Sequence, residues 1–162
     1  MRKMVALTLA AVFVLCFVSC GKKEETEPMV SMYDLRVMML AADETLPEMK
    51  SVSSSDEDAE SLFGYLSDVD YSKVEGYFLS YAAEGDSYEI AVVAMRDAGD
   101  VPAMKESVEK HVAGRIELYR NYKPEQVPRA EEASVTVSGR YVALVMCDRA
   151  DAVLEAFKKG IK

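Results

Sequence analysis

The sequence predicts an α+β protein: a two-layer sandwich with an antiparallel four-stranded sheet built from two consecutive ββα units and preceded by one or two short helices. Three observations carry this expectation. Two β-rich runs, Gly76–Ala83 and Tyr88–Met95, are followed by a long stretch with apolar residues at helical spacing. The same order recurs with Ala133–Ser138, Tyr141–Cys147 and a last amphipathic stretch after Asp148. The segments 88–97 and 140–148 also read alike, each an apolar run closed by an aspartate, which points to a weak structural duplication.

The chain begins with Arg2 and Lys3, an apolar run from Val5 to Val18, and then Ser19-Cys20-Gly21. A basic start, a short apolar core and a small residue before the cut make a secretory signal, because a spanning helix needs about 20 apolar residues. The segment Phe17-Val18-Ser19-Cys20 resembles a bacterial lipoprotein signal, in which Cys20 becomes the diacylated first residue of the mature chain. Cys16 is a poor rival, since bulky Leu15 precedes it. Two acyl chains anchor stably where one does not, at about 0.8 kcal/mol per buried CH₂. The lipid bilayer, reached through acylated Cys20, is therefore the first expected partner. The expected location is the outer face of the cell membrane. Lys22 does not resemble an inner-membrane retention signal, so an outer membrane fits where the cell has one. Residues 1–19 are read as signal, 20–28 as lipidated cysteine and charged tether, and 29–162 as a single α+β domain.

Loss of Arg2 and Lys3 with the signal turns the net charge of −9 into −11. That acidity argues against nucleic acid and against adhesion to anionic headgroups. Beyond Cys20 the mature chain has one cysteine, Cys147, so no internal disulfide can staple it; within an apolar strand this thiol reads as buried and inert.

Within the domain, Ser31 is placed to cap a helix whose face is Leu35, Met38, Met39 and Ala42, although Val37 and Leu40 leave a strand open. Residues 50–56 read as a Ser-rich acidic loop. Ser54 and Glu57 have capping-box spacing ahead of a short helix with Ala59, Leu62, Phe63 and Leu66 on one face. The strand 76–83 alternates Tyr77, Leu79 and Tyr81 against Phe78, Ser80 and Ala82. After strand 88–95, Asp100 is a plausible N-cap for the helix with Met104, Val108, Val112, Ile116 and Tyr119 on one face. Ala133, Val135 and Val137 form an amphipathic strand, Ser138-Gly139 a turn, and Val153, Leu154, Phe157 and Ile161 the face of the final helix. Strand 141–147 is apolar on both sides, so its second face must be covered by the N-terminal helices or by a partner.

No reactive constellation is legible. His111 is the only histidine, which rules out zinc-hydrolase motifs, and no serine sits in a nucleophile elbow. Asp68, Asp70 and Ser72 mimic the start of a calcium loop, but Lys73 and Leu79 occupy the places of its glycine and closing glutamate. The methionines, Met38 and Met39 among them, fit core filling better than copper ligation. No catalytic residue, metal site or cofactor is expected. Tyr77 and Tyr81 face one way about 13 Å apart at ~3.3 Å per residue, a spacing that suits a sugar-stacking platform for wall glycans.

The ordered set of lipoprotein-like signal, strand Tyr88–Val93, helix from Arg115 to Glu125 and strand Gly139–Val145 resembles the bacterial lipoprotein family known as domain of unknown function 4358, found mostly in anaerobic Gram-positive bacteria. The resemblance covers roughly residues 29–160. It implies a surface lipoprotein and supplies no catalytic residues. Arg115 and Tyr122 look like family positions; seven apart, they share a helix face and can cap the following loop or meet a ligand. The expected function is a non-enzymatic, membrane-anchored lipoprotein that binds an envelope protein partner or serves as an accessory subunit. The alternative is a ligand-binding module for a wall glycan or small solute, with an envelope hydrolase third. Arg115, Tyr122, Tyr77 and Tyr81 are the candidate contacts.

Overall fold

The computed structural model describes residues 30–162. The signal segment, Cys20, the tether and Met29 lie outside the described residues.

Helix α1 (Met32–Ala41) starts at Ser31, whose Oγ accepts from the Asp34 amide at 3.1 Å, and it buries Leu35 and Met39. Strand β1 (Met49–Ser53), the short α2 (Ala59–Phe63), β2 (Val74–Ala82) and β3 (Glu89–Met95) follow. The long α3 (Val101–Tyr122) leads through a turn into α4 (Val127–Glu131), β4 (Ser134–Ser138), β5 (Tyr141–Met146) and α5 (Ala150–Gly160). The strands form one sheet in the order β1-β2-β3-β5-β4, every neighbouring pair antiparallel. Ser138 pairs with Tyr141 across a two-residue loop in which Gly139 has a φ of 55°, a conformation costly for any residue with a Cβ.

The α+β class and both ββα units are present, with two departures from the expected sheet. It has five strands, not four, because residues 49–53 pair with β2 where a loop was expected. Met-Lys-Ser-Val-Ser carries too few apolar residues to signal a strand. As an edge strand it needs only one neighbour, and the Ser51 hydroxyl meets that of Ser80 at 2.7 Å. The expected capping box is also absent: Ser54 Oγ turns to the Tyr77 backbone, accepting from its amide at 3.3 Å.

The second departure is layering. Tyr77, Leu79, Ala91, Val93, Met95, Val142 and Leu144 pack with α2 and with Val101, Met104 and Val108 of α3. Their alternates Phe78, Ile90, Val92, Ala94, Tyr141, Ala143 and Val145 pack instead with Leu35 and Met39 of α1, Val153 and Phe157 of α5, and Ile161 just beyond it. Helices therefore cover both faces of the sheet, and the two-layer expectation is corrected to three layers. Strands β3 and β5 are buried at every position because each has a core on both sides. The two ββα units thus send their helices to opposite faces.

The second face is closed tightly. Gly160 lets α5 approach α1 so nearly that a Cβ there would lie 2.5 Å from Leu35 Cδ1. Asp43 just beyond α1 fastens the same pair. Its carboxylate accepts from the Thr45 amide at 2.9 Å and from the Arg149 amide, at the start of α5, at 3.2 Å. The first face differs, since α2 is only five residues long and lies over β1 while α3 lies over β5 and β4.

Candidate ligand pocket

The gap left between α2 and α3 on the first face is a pocket of about 700 Å³, a volume typical of small-molecule sites. Val52 of β1, Leu62 and Tyr65 at the end of α2, and Leu79 and Tyr81 of β2 give it apolar and aromatic walls. Glu89 of β3 and His111 and Arg115 of α3 supply its polar side. Gly114 also lines it, and the missing side chain keeps that part of α3 open.

Glu89 organises the polar side. Its position on β3 points to the first face, where it is 3% exposed, so its charge requires compensation. Arg115 Nε lies 2.5 Å from Oε1 and His111 Nε2 lies 2.6 Å from Oε2. The two residues are four apart on α3, one helical turn, which brings both onto one carboxylate. Since an ion-paired carboxylate accepts, His111 presents its Nε2–H to it and leaves Nδ1 unengaged. Arg115 Nη2 donates to the Tyr119 hydroxyl at 2.5 Å, and that hydroxyl donates to the Asp86 carbonyl at 3.0 Å. Burial raises the Tyr119 hydroxyl pKa above its ordinary value, against the lowering effect of Arg115, which keeps it a neutral donor.

The turn into β3 is pinned from the segment that follows this helix. Lys123 donates to Asp86 Oδ1 at 2.8 Å and to the Glu84 carbonyl at 2.9 Å, and Gln126 Oε1 accepts from the Ser87 amide at 3.0 Å. These bonds set where β3 begins and hence where Glu89 sits. On the other flank, Ser107 Oγ donates to Asp68 Oδ1 at 2.8 Å and meets Ser67 Oγ at 2.8 Å. They tie the segment after α2 to α3. The Ser107 hydroxyl, followed by Lys110, holds the Asp68 carboxyl below its usual range. Asp70 accepts from the Ser72 amide at 2.9 Å. Among the described residues no cluster of three metal-ligating side chains occurs.

The four candidate contacts separate. Arg115 and Tyr81 line the pocket. Tyr77 shares their face but is completely buried, packed at 5.2 Å edge-on to Phe63 with its hydroxyl donating to the Ala59 carbonyl at 2.7 Å. Burial pushes that hydroxyl up to about 12, and no ring face remains for a sugar. Tyr122 is 79% exposed and is not among the lining residues. Three lining residues, Glu89, His111 and Tyr65, were not expected as contacts. A signal for Glu89 was present: a lone carboxylate at an inward position of an otherwise apolar strand demands a partner, and His111 and Arg115 are the i, i+4 pair that can supply it. Tyr65 had none, because it lies in the irregular turn ending α2.

Chemically, the pocket offers flat aromatic surface, a neutralised ion pair and surplus hydrogen-bond donors. Its lining includes one carboxylate, Glu89, with both oxygens engaged, whereas glycosidase chemistry uses two. No helix among the described residues is long and apolar enough to cross a membrane. No curated protein and no solved structure matches the chain. A family's sequence profile does, over residues 43–147, a span holding β1 to β5 and every lining residue of the pocket. The chain belongs to the family described as Domain of unknown function (DUF4358).

Proposed function

We propose that this protein is a lipid-anchored extracytoplasmic binding module whose pocket between α2 and α3 takes a wall glycan or similar small ring-bearing solute. The observation that carries the reading is the pocket itself, with Tyr65 and Tyr81 on one side and Arg115 and His111 on the other. An aromatic ring offers a flat apolar surface to the axial C–H face of a sugar, and polar groups held in a fixed network recognise its oxygens without further ordering. Acylated Cys20 would hold this module at the membrane surface beside wall material. A binding role fits the lining better than a hydrolytic one, given its single, fully engaged carboxylate. The test is calorimetric titration of the full-length protein with small muropeptides. Binding that is lost in Tyr81→Ala supports the reading, and flat titrations of the unaltered protein overturn it.

The accessory-subunit reading stands second. Leu118 and Tyr122, four apart on α3, are 43% and 79% exposed, an apolar pair on the helix surface away from the pocket. Crosslinking on intact cells that recovers one envelope protein with the native chain, and not with Leu118→Ser/Tyr122→Ser, would favour it; recovery of none would remove it.

A further inference from the structure

We infer that the pocket selects a pyranose bearing a carboxylate over its neutral counterpart, with Arg115 as the residue that reads the acid; this rests on the glycan-binding reading above. Unused hydrogen-bonding capacity in the pocket lining points to the acid. Glu89 is the only carboxylate in the lining; its Oε2 is hydrogen-bonded to His111 Nε2 and its Oε1 is in ion-pair contact with Arg115 Nε. At 4% side-chain exposure it has no room for a ligand donor. Beside the unengaged Nδ1 of His111, what remains is donor capacity on Arg115. Arg115 Nε faces Glu89 Oε1 as an ion pair without hydrogen-bond geometry, and one N–H of Nη2 goes to Tyr119, so both N–H groups of Nη1 and one of Nη2 have no acceptor among the described residues. The Arg115 side chain is 25% exposed, enough for a ligand to reach it and little enough for the contact to be partly desolvated.

A guanidinium presents parallel N–H groups that match the two oxygens of a carboxylate, and such charge-assisted pairs are about twice as strong as neutral ones. Glu89 neutralises Arg115 in the empty pocket, but its charge is shared with His111 and lies on the Nε edge. An incoming carboxylate can use the Nη edge. Amines and other cationic ligands have the opposite problem, because no free acceptor of full charge faces them. Tyr65 and Tyr81 then provide the surface for the ring.

The experiment measures affinities of the full-length protein for N-acetylmuramic acid and for glucuronic acid, each against its own methyl ester, with N-acetylglucosamine as the neutral ring. The ester preserves the bulk of each acid and removes its charge. The expected result is a preference of about tenfold for the free acid in at least one pair. Which pair shows it distinguishes a lactyl from a uronic carboxylate. In Glu89→Gln/Arg115→Gln, which leaves no unpaired charge in the site, that preference falls to near one. Equal affinity for acid and ester in both pairs overturns the inference while leaving glycan binding intact, as does a preference that persists in the double variant. Absence of binding to all five sugars overturns both the inference and the reading beneath it.

Discussion

Removing either partner of the Glu89–Arg115 pair is destabilising, but by unequal amounts. Breaking a buried pair costs about 3–5 kcal/mol because the surviving charge is left uncompensated. Glu89 keeps 4% of its side chain exposed and Arg115 25%, so the carboxylate is the group that water cannot reach. Arg115→Met therefore strands a buried carboxylate with His111 as its remaining partner, and its cost falls within about 3–5 kcal/mol. Glu89→Gln leaves a guanidinium that water can enter the pocket to solvate, so about 1–3 kcal/mol is expected. Combining Arg115→Met with Glu89→Gln removes the stranded charge, and the double variant should be more stable than Arg115→Met alone. Urea unfolding followed by far-UV circular dichroism gives the comparison, provided the slope with denaturant is unchanged across the set. If Glu89→Gln costs as much as Arg115→Met, the carboxylate is not the buried member of the pair and the reasoning fails.

Two glycine substitutions should have opposite signs. Gly160→Ala puts a Cβ 2.5 Å from Leu35 Cδ1 in a closed core, so overpacking of about 1–3 kcal/mol outweighs a helix-propensity gain of about 1 kcal/mol; thermal unfolding should show a lower midpoint. Gly114→Ala meets nothing within 4 Å and should raise the midpoint, with a gain of up to about 1 kcal/mol. Asp43 is pushed up by burial, but hydrogen bonds from Thr45, Arg149 and Cys147 outweigh this and lower its pKa below the unfolded value. A lowered carboxylate stabilises fully above the unfolded pKa of about 3.9 and loses that contribution as pH falls through its folded value. Asp43→Asn should therefore cost stability at pH 7, and its deficit in urea midpoint should shrink by pH 3. Burial pushes the Cys147 thiol up to about 12, so peptide mapping after iodoacetamide at pH 8 should find it labelled only in denaturant.

Much of the fold was legible because its signals are local. Ser31 caps α1 as its position suggested, and the alternation of 76–82 and 133–138 located β2 and β4. The 3.6-residue spacing from Met104 to Tyr119 located α3. What was not legible depends on the other side of a contact. Strand β1 exists because β2 presents an edge to it, and five residues with two serines and a lysine carry no record of that edge. The placement of α3 and α5 on opposite faces is likewise a property of connections, since both ββα units have the same order in sequence. The apolar character of both sides of 141–147 did require a second cover, and α1 and α5 supply it from within the chain.

The pocket shows why residue type alone located only part of the site. Tyr77 and Tyr81 are equivalent by periodicity, yet Tyr77 lies under α2, where Phe63 and Tyr71 enclose it, and Tyr81 lies beyond the helix end. The five-residue length of α2 separates a core tyrosine from one that borders a cavity. On the opposite face α1 and α5 have ten and eleven residues and pack directly on each other across Gly160. A sheet covered on both faces thus has one sealed side and one open side. The open side is where β3 carries its single charged residue inward and α3 turns two basic side chains to meet it. Had Glu89 served the core alone, an apolar residue would have been the less costly choice, because buried ion pairs seldom add stability over well-packed hydrophobic ones. A pair retained at the edge of an open pocket, with donor capacity beyond what its carboxylate uses, is what the proposed ligand binding calls for and what fold stability alone does not.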